Sequence, residues 1–543
     1  MENISRRQFL IGGGLLGAAA LGSMGLTGCA PAQPAASAQS ESGGKNLANT
    51  SSQLVEVNES DVSATEDCDI VVCGSGSAGT YAAVRAAELG ASVIWLEKTT
   101  NKGGTSTVTE GINAPNTQEQ IAAGAVTDID EEVRSFMASH NWGAYEPGIR
   151  AYLENAGEAI DWAIGHGAKL MGNGSMYSCF DENGSWINMG KGMLEPLWSY
   201  GETLSSLDFR LETPAVNLVI EDGKVAGVYA QSSDGAITRI NAKAVVLATG
   251  GFGSNEAMKQ ERMRVPSDRV KFLGFDGQDG DGINMALKAG AASQAPSALM
   301  FGLSEIAGES WDSILTIFTQ WPPSWRAPQE VGKVLPMVNE KGRRFYNETQ
   351  VEDCDTSRLN CAIASQKAVY TLFDENHVRT YEGFDEFDYF TGIGTGELRS
   401  AIEKNDNVVK ADTIEELAAA AGIDASALTK TVADYNAMIE SGVADVYGAD
   451  VANLTPLAQP PFYAARVEAC AYSTCGGVRG DIHAQAVDTD ERPIPGLYVC
   501  GLDNGSLYFN DYPYGSHGGS GQANACTTGF VAAKAACEEC GIA

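Results

Sequence analysis

The sequence predicts an α/β fold built on a doubly wound parallel sheet, and three observations carry the prediction. Between residues 69 and 97 an apolar run, a glycine-rich turn, an unbroken helical stretch and a second apolar run follow one another. Apolar runs ending in glycine turns recur at residues 244–252 and 494–501. Glycine is abundant, 62 of 543 residues, as tight strand-to-helix turns require. With 44% hydrophobic and 20% charged residues the chain can bury a large core, which excludes disordered and collagen-like classes, and its length suits two large units. The formal charge of −34 would repel phosphate backbones and argues against nucleic acid as a partner.

At the amino end, Ser5-Arg6-Arg7-Gln8-Phe9-Leu10 precedes an apolar, Gly- and Ala-rich run as far as Met24, and residues 1–28 read as a signal peptide outside the fold. The twin arginine resembles the Tat export signal, whose pathway carries folded proteins with cofactors bound; an ordinary export signal or a membrane anchor is the alternative. Leu26-Thr27-Gly28-Cys29 resembles the lipobox of bacterial lipoproteins, which would make Cys29 a lipid anchor; a lipidated and an unlipidated amino end are both open. Residues 29–66, rich in Ala, Ser, Gln, Asn and Glu, read as a flexible tether, and the fold is expected from Asp67. The expected location is the cell envelope. The twelve cysteines show no zinc or iron–sulfur spacing, so no metal is expected, and Cys537 with Cys540 reads as a chance pair on a terminal helix. So many thiols in an exported chain point to an anaerobic setting or to unassigned disulfides.

Asp69-Ile70-Val71-Val72-Cys73 reads as the first strand of the fold and Gly74-Ser75-Gly76-Ser77-Ala78-Gly79 as its turn. A helix follows to Leu89, and Ala91–Leu96 reads as a strand ending at Glu97. In this Rossmann-type succession Gly74 allows the tight turn, Gly76 lets backbone approach a pyrophosphate, and Gly79 permits close helix–strand packing. Phosphates favour the helix amino end, beside Ser77 and Ala78. Glu97 is spaced from Gly76 as an acceptor for a ribose diol should be. A dinucleotide site is expected.

Lys98-Thr99-Thr100-Asn101-Lys102-Gly103-Gly104-Thr105-Ser106 follows the acid, with Glu110-Gly111-Ile112-Asn113-Ala114 behind it. Ala244–Phe252 closes on Ala248-Thr249-Gly250-Gly251, Gly280-Asp281-Gly282-Ile283 comes next, and Ile494–Gly501 lies near the carboxyl end. Together these segments resemble the fumarate reductase and succinate dehydrogenase flavoprotein superfamily over residues 67–543, the middle matching least. The resemblance implies FAD, held by Gly74, Gly76, Ser77, Ala78, Gly79, Glu97, Lys98, Gly103, Gly104, Thr105, Ser106, Gly111, Val216, Thr249, Gly250, Asp281, Gly501, Gly521 and Gln522. It also implies a doubly wound FAD-binding domain, residues 67–295 and 456–543, split by an α+β capping domain, residues 296–455.

Within that cap, Leu335–Glu348 resembles the family's best-marked stretch, but the position of the presumed proton-donating arginine, four residues past Glu348, holds Glu352. Ala298–Ser304 lacks the substrate histidine, and Ser516 stands where the substrate-binding arginine would be. A dicarboxylate would find no fixed cation there, and burying unpaired carboxylates is costly, so fumarate is a poor substrate. Tyr514-Gly515-Ser516-His517-Gly518 instead resembles the loop of ketosteroid dehydrogenases, in which a tyrosine hydroxyl and a glycine N–H bind the substrate carbonyl oxygen. Loop length differs, so Tyr512 or Gly519 can take the matching places. The resemblance makes Glu352, Tyr514, Ser516 and Gly518 the catalytic candidates, with Asp353 beside the acid. The plainer readings are a surface carboxylate at Glu352, an aromatic cluster of Tyr508, Tyr512 and Tyr514, and a loop residue at His517.

The function expected is reduction of a C=C bond conjugated to a carbonyl, in a neutral or bulky, steroid-like or plant-derived enone. Electrons would come from a separate membrane-linked or periplasmic donor. One rival is an acrylate-type reductase whose monocarboxylate, such as urocanate or a cinnamate, is held by Arg326 or Arg358. Another is an FAD-binding lipoprotein without turnover.

Overall fold

The computed structural model describes residues 54–542 except 174–175, 182–185, 303, 311–312, 320–333, 350–355 and 383–396. The signal segment and Cys29 lie outside the described residues. One sheet takes eight strands: β1 (Val62–Cys73), β2 (Val93–Leu96), β3 (Leu207–Arg210), β4 (Ala215–Glu221), β5 (Lys224–Gln231), β6 (Ile237–Leu247), β7 (Gln485–Val487) and β8 (Pro493–Val499). Their spatial order is β7-β8-β6-β1-β2-β3, with β5 antiparallel on β6 and β4 on β5. β1 is parallel to both neighbours, Cys73 standing beside Leu247 and Leu96. The predicted strands are buried throughout their apolar runs, as a parallel sheet covered on both faces requires.

The structure corrects the start of the fold. β1 begins at Val62, inside the stretch read as tether, and Val55 accepts a hydrogen bond from Asn217 Nδ2 at 2.8 Å. The outer half of β1 is exposed, so its Ser63, Thr65 and Asp67 carry no apolar signal.

Four helices frame the site: α1 (Ser77–Glu88), α2 (Glu146–Gly165), α3 (Asp281–Lys288) and α4 (Ser520–Glu539). α1 is rich in alanine and almost wholly buried between sheet and α4. A Cβ at Gly79 would sit 1.9 Å from the Gly74 carbonyl oxygen, and one at Gly529 2.2 Å from that of Ala78. Both helices therefore pack backbone against backbone, which only glycine at these points permits.

The second sheet gathers around the long strand Phe462–Thr474, which pairs with Val270–Phe272, Leu299–Phe301, Glu305–Ile306, Val369–Asp374 and Val408–Ala411. It thus draws strands from both sides of the predicted 296–455 interval. Its core includes Phe373 stacked on Phe318 at 3.9 Å and on Tyr463 at 4.9 Å. The ten described cysteines are free thiols, no metal-binding cluster occurs among the described residues, and no described helix is long and apolar enough to cross a membrane.

Candidate active site

A cleft opens at the carboxyl ends of β1, β2, β6 and β8, where a doubly wound sheet binds its ligand. All the predicted cofactor residues line it except Gly79, Gly111 and Val216. Gly79 serves helix packing, as described above. Gly111 lies behind the wall, where a Cβ would be 3.3 Å from the Tyr177 carbonyl oxygen. Val216 turns into the core, and its neighbour Ala215 lines the cleft instead.

Ser75, an unspecified position of the glycine motif, proves to be its pin: its hydroxyl donates to Glu97 Oε2 at 2.7 Å and accepts from the Gly103 N–H at 2.9 Å. Glu97 also accepts from the N–H of Ser75 and of Thr99. Lys98 Nζ pairs with Asp279 at 2.8 Å and Asp281 at 2.6 Å. Burial would lower its pKa, but the two carboxylates hold it above the ordinary lysine range. Gln278 donates from Nε2 to Thr105 Oγ1 at 2.6 Å and accepts from Ser473 Oγ at 2.5 Å, tying the Gly-Gly loop to the long strand of the second sheet. Asp503, fully buried, accepts from the N–H of Thr249 at 2.6 Å and of Gly251 at 3.3 Å; burial raises its pKa. Ser75, Gln278 and Asp503 were not predicted, because each is fixed by partners far away in sequence.

A dinucleotide fits this cleft. A Cβ at Gly76 would meet only Ser106 Oγ at 3.4 Å and the Gly103 carbonyl oxygen at 3.9 Å, both at ordinary contact distance, and the amino ends of α1 and α4 both open on the cleft. Side chains at Gly76 would fill the cradle that a pyrophosphate needs, and Glu97 stands at the ribose position.

The other end of the cleft is walled by Met300 and Gly521. A Cβ at Gly521 would be 2.6 Å from Met300 Cε, 3.3 Å from the Tyr512 ring and 3.4 Å from the Tyr508 hydroxyl. Tyr508 and Tyr512 are buried with Ser520, the Tyr508 and Ser520 oxygens 3.5 Å apart. Burial pushes Tyr512 up to about 12, and Ser520 with the backbone of Gly519 and Gly521 meets its hydroxyl. Tyr508, Tyr512 and Ser520 stand behind Gly521 and do not line the cleft themselves, and neither do Tyr514, Ser516 and Gly518. A short helix, Tyr514–His517, carries them past it: Tyr514 packs edge-on against Tyr512, and Ser516 is exposed with its Oγ 2.8 Å from His517 Nδ1. His517 is buried against Phe136. Glu352, Asp353 and Arg326 lie outside the described residues; Arg358 is exposed on the helix Thr356–Ala364, away from the cleft wall. Lys98 is the one Lys, Arg or His among the described cleft-lining residues.

The family of FAD binding domains matches residues 69–518. The chain belongs to the fumarate reductase and succinate dehydrogenase flavoprotein superfamily. It is similar to the vinyl phenol reductase of Lactiplantibacillus plantarum, 28% identical over 466 residues that cover 82% of this chain and 91% of that protein. It is also similar to the digoxin reductase of Eggerthella lenta, 28% identical over 546 residues, 94% of this chain and 93% of the other. Among solved structures, the open conformation of a flavocytochrome c3 fumarate reductase superposes with a TM-score of 0.66 at 25% identity, covering 88% of this chain and 79% of that one. This flavoprotein is therefore an FAD-dependent oxidoreductase acting on CH–CH groups, with the cap-split fold of its superfamily.

Proposed function

We propose that this flavoprotein reduces a C=C bond conjugated to a carbonyl in a neutral or bulky molecule of steroid-like or plant-derived type. The observation that carries the reading is the buried hydroxyl cluster of Tyr508, Tyr512 and Ser520 at the amino end of α4. It offers hydrogen-bond donors, whereas the cleft's Lys98 is committed to two aspartates. The named substrate of one relative, a vinyl phenol, carries no carboxylate, which agrees with such a site.

FAD, when bound, supplies a hydride from N5 to the β-carbon. The chain's part is to hold and polarise the substrate. A carbonyl oxygen at the amino end of α4 accepts from the Tyr512 hydroxyl and from backbone N–H groups, which draws electrons from the double bond and stabilises the enolate charge. Tyr512 stays protonated at neutral pH because burial disfavours its anion. Tyr512 with Gly521 takes the places that the loop resemblance gave to Tyr514 and Gly518. Met300 and the capping domain keep water from the reacting carbons. We assign the proton for the α-carbon to Glu352.

We further assign residues 62–295, counted from the start of β1, and 456–543 to the FAD-binding domain and 296–455 to the cap. The chain is exported through its twin-arginine signal, tethered at Cys29, and fed by a separate membrane-linked or periplasmic donor; residues 5–10 and 26–29 support this part.

The test is anaerobic: reduce the flavin of the purified holoenzyme chemically and follow its reoxidation by enones, steroids and acrylates. Rapid reoxidation by enones, slowed in Tyr512→Phe and abolished in Glu352→Gln, is expected. Reoxidation by carboxylates alone would replace this reading with an acrylate reductase, and none at all with a binding protein.

A further inference from the structure

Resting on that reading for the place of the substrate, we propose that Asp511 is a specificity residue: by engaging Arg264 it keeps the substrate end of the cleft from accepting carboxylates.

Asp511 immediately precedes Tyr512 and bridges to Leu299, whose carbonyl accepts the Tyr512 N–H at 3.1 Å. The next residue along that strand is Met300, the cleft-wall side chain against Gly521. From the cap side, Ser357 Oγ donates to the Tyr512 carbonyl at 2.7 Å. Arg264 ties this turn to the helix Thr356–Ala364. Its Nη2 donates to Asp511 Oδ1 and to the Cys361 thiol, at 3.5 Å for the latter. The two charged side chains are 35% and 20% exposed; neither lines the cleft itself, and the pair stands next to it in the chain, one residue from Tyr512.

A neutral carbonyl compound needs nothing from this pair. An acid of the cinnamate type needs a cation, and at this turn Arg264 already has its counter-ion, while Asp511 adds a like charge against the incoming carboxylate. Removing only the charge of Asp511 leaves the guanidinium in place with its carboxylate-binding fork available. One residue therefore sets the sign of the site toward anions.

The experiment titrates holoenzyme with 3-phenylpropionate and with its amide, neither of which contains a reducible side-chain double bond, and follows the flavin absorption. The ratio of anion to amide affinity in Asp511→Asn is expected to rise about tenfold over wild type, the effect of one charge-assisted hydrogen bond. The double variant Arg264→Gln/Asp511→Asn should return the ratio to the wild-type value, and Asp511→Glu should keep it there. Flavin absorbance of each variant reports that it is folded and loaded. An unchanged ratio in Asp511→Asn, a gain that persists in the double variant, or no binding of the anion by Asp511→Asn would each overturn the proposal. Failure of enone reduction by the wild type is a separate result, because the titration needs no turnover.

Discussion

Replacing His140 by leucine should make the protein more stable and remove much of its sensitivity to acid. His140 is 1% exposed, and neither ring nitrogen has a hydrogen-bond partner among the described residues. Its ring packs beside Phe136 and edge-on to Tyr508, 5.9 Å away. Burial, followed by the charge of buried His517, pushes its pKa down to about 4 from the ordinary 6.5. Between these values the unfolded chain binds a proton that the native protein refuses, so stability is fully present above pH 6.5 and is lost as pH falls toward 4. At about 1.4 kcal/mol per pH unit, the loss across that window is about 3 kcal/mol. At neutral pH, leucine would remove two unpaired buried polar atoms at nearly equal volume, a gain of about 1–2 kcal/mol. The assay is urea unfolding of wild type and His140→Leu, both saturated with FAD, at pH values from about 4 to about 8. The two stability curves should diverge by about 3 kcal/mol on acidification. Parallel curves would refute the reasoning.

Gly79→Ala places a methyl group 1.9 Å from the Gly74 carbonyl oxygen, where backbone must move; a cost of about 3 kcal/mol or more and loss of FAD on gel filtration are expected. Lys98→Met leaves Asp279 and Asp281 buried without their cation, and denaturant unfolding should show about 3–5 kcal/mol of destabilisation. In Tyr512→Phe, kcat/KM for enones should fall about 100-fold while the flavin spectrum and FAD affinity are retained, as loss of a transition-state donor predicts. A parallel loss of FAD would instead make Tyr512 a structural residue.

The strand, turn, helix and acid from Asp69 to Glu97 were readable because their rules are local: parallel buried strands are continuous apolar runs, and the glycines answer to backbone geometry. The outer half of β1 was not, since exposed strand residues look like tether. Ser75 and Gln278 escaped for a different reason, their value lying in partners 28 and 195 residues away that a linear pattern does not display. The register of the substrate loop stayed open between Tyr512 and Tyr514. Its tyrosines were visible, but whether Tyr512 or Tyr514 faces Gly521 depends on the short helix Tyr514–His517, which sets how far the loop has turned before α4 begins. Likewise His517 was noticed as a loop residue, while its burial against Phe136 required the tertiary packing.

The position of α4 has a consequence for when the cofactor can enter. Gln522 Nε2 donates to Ser77 Oγ at 2.5 Å, joining residues 445 apart, and Gly521 forms the far wall of the cleft. Until the 20-residue helix α4 is in place, the glycine turn of β1 is an open trough with one side missing. α4 is thus a latch: FAD can be retained only once residues 520–539 have docked, and every later event that requires the loaded protein waits for that docking.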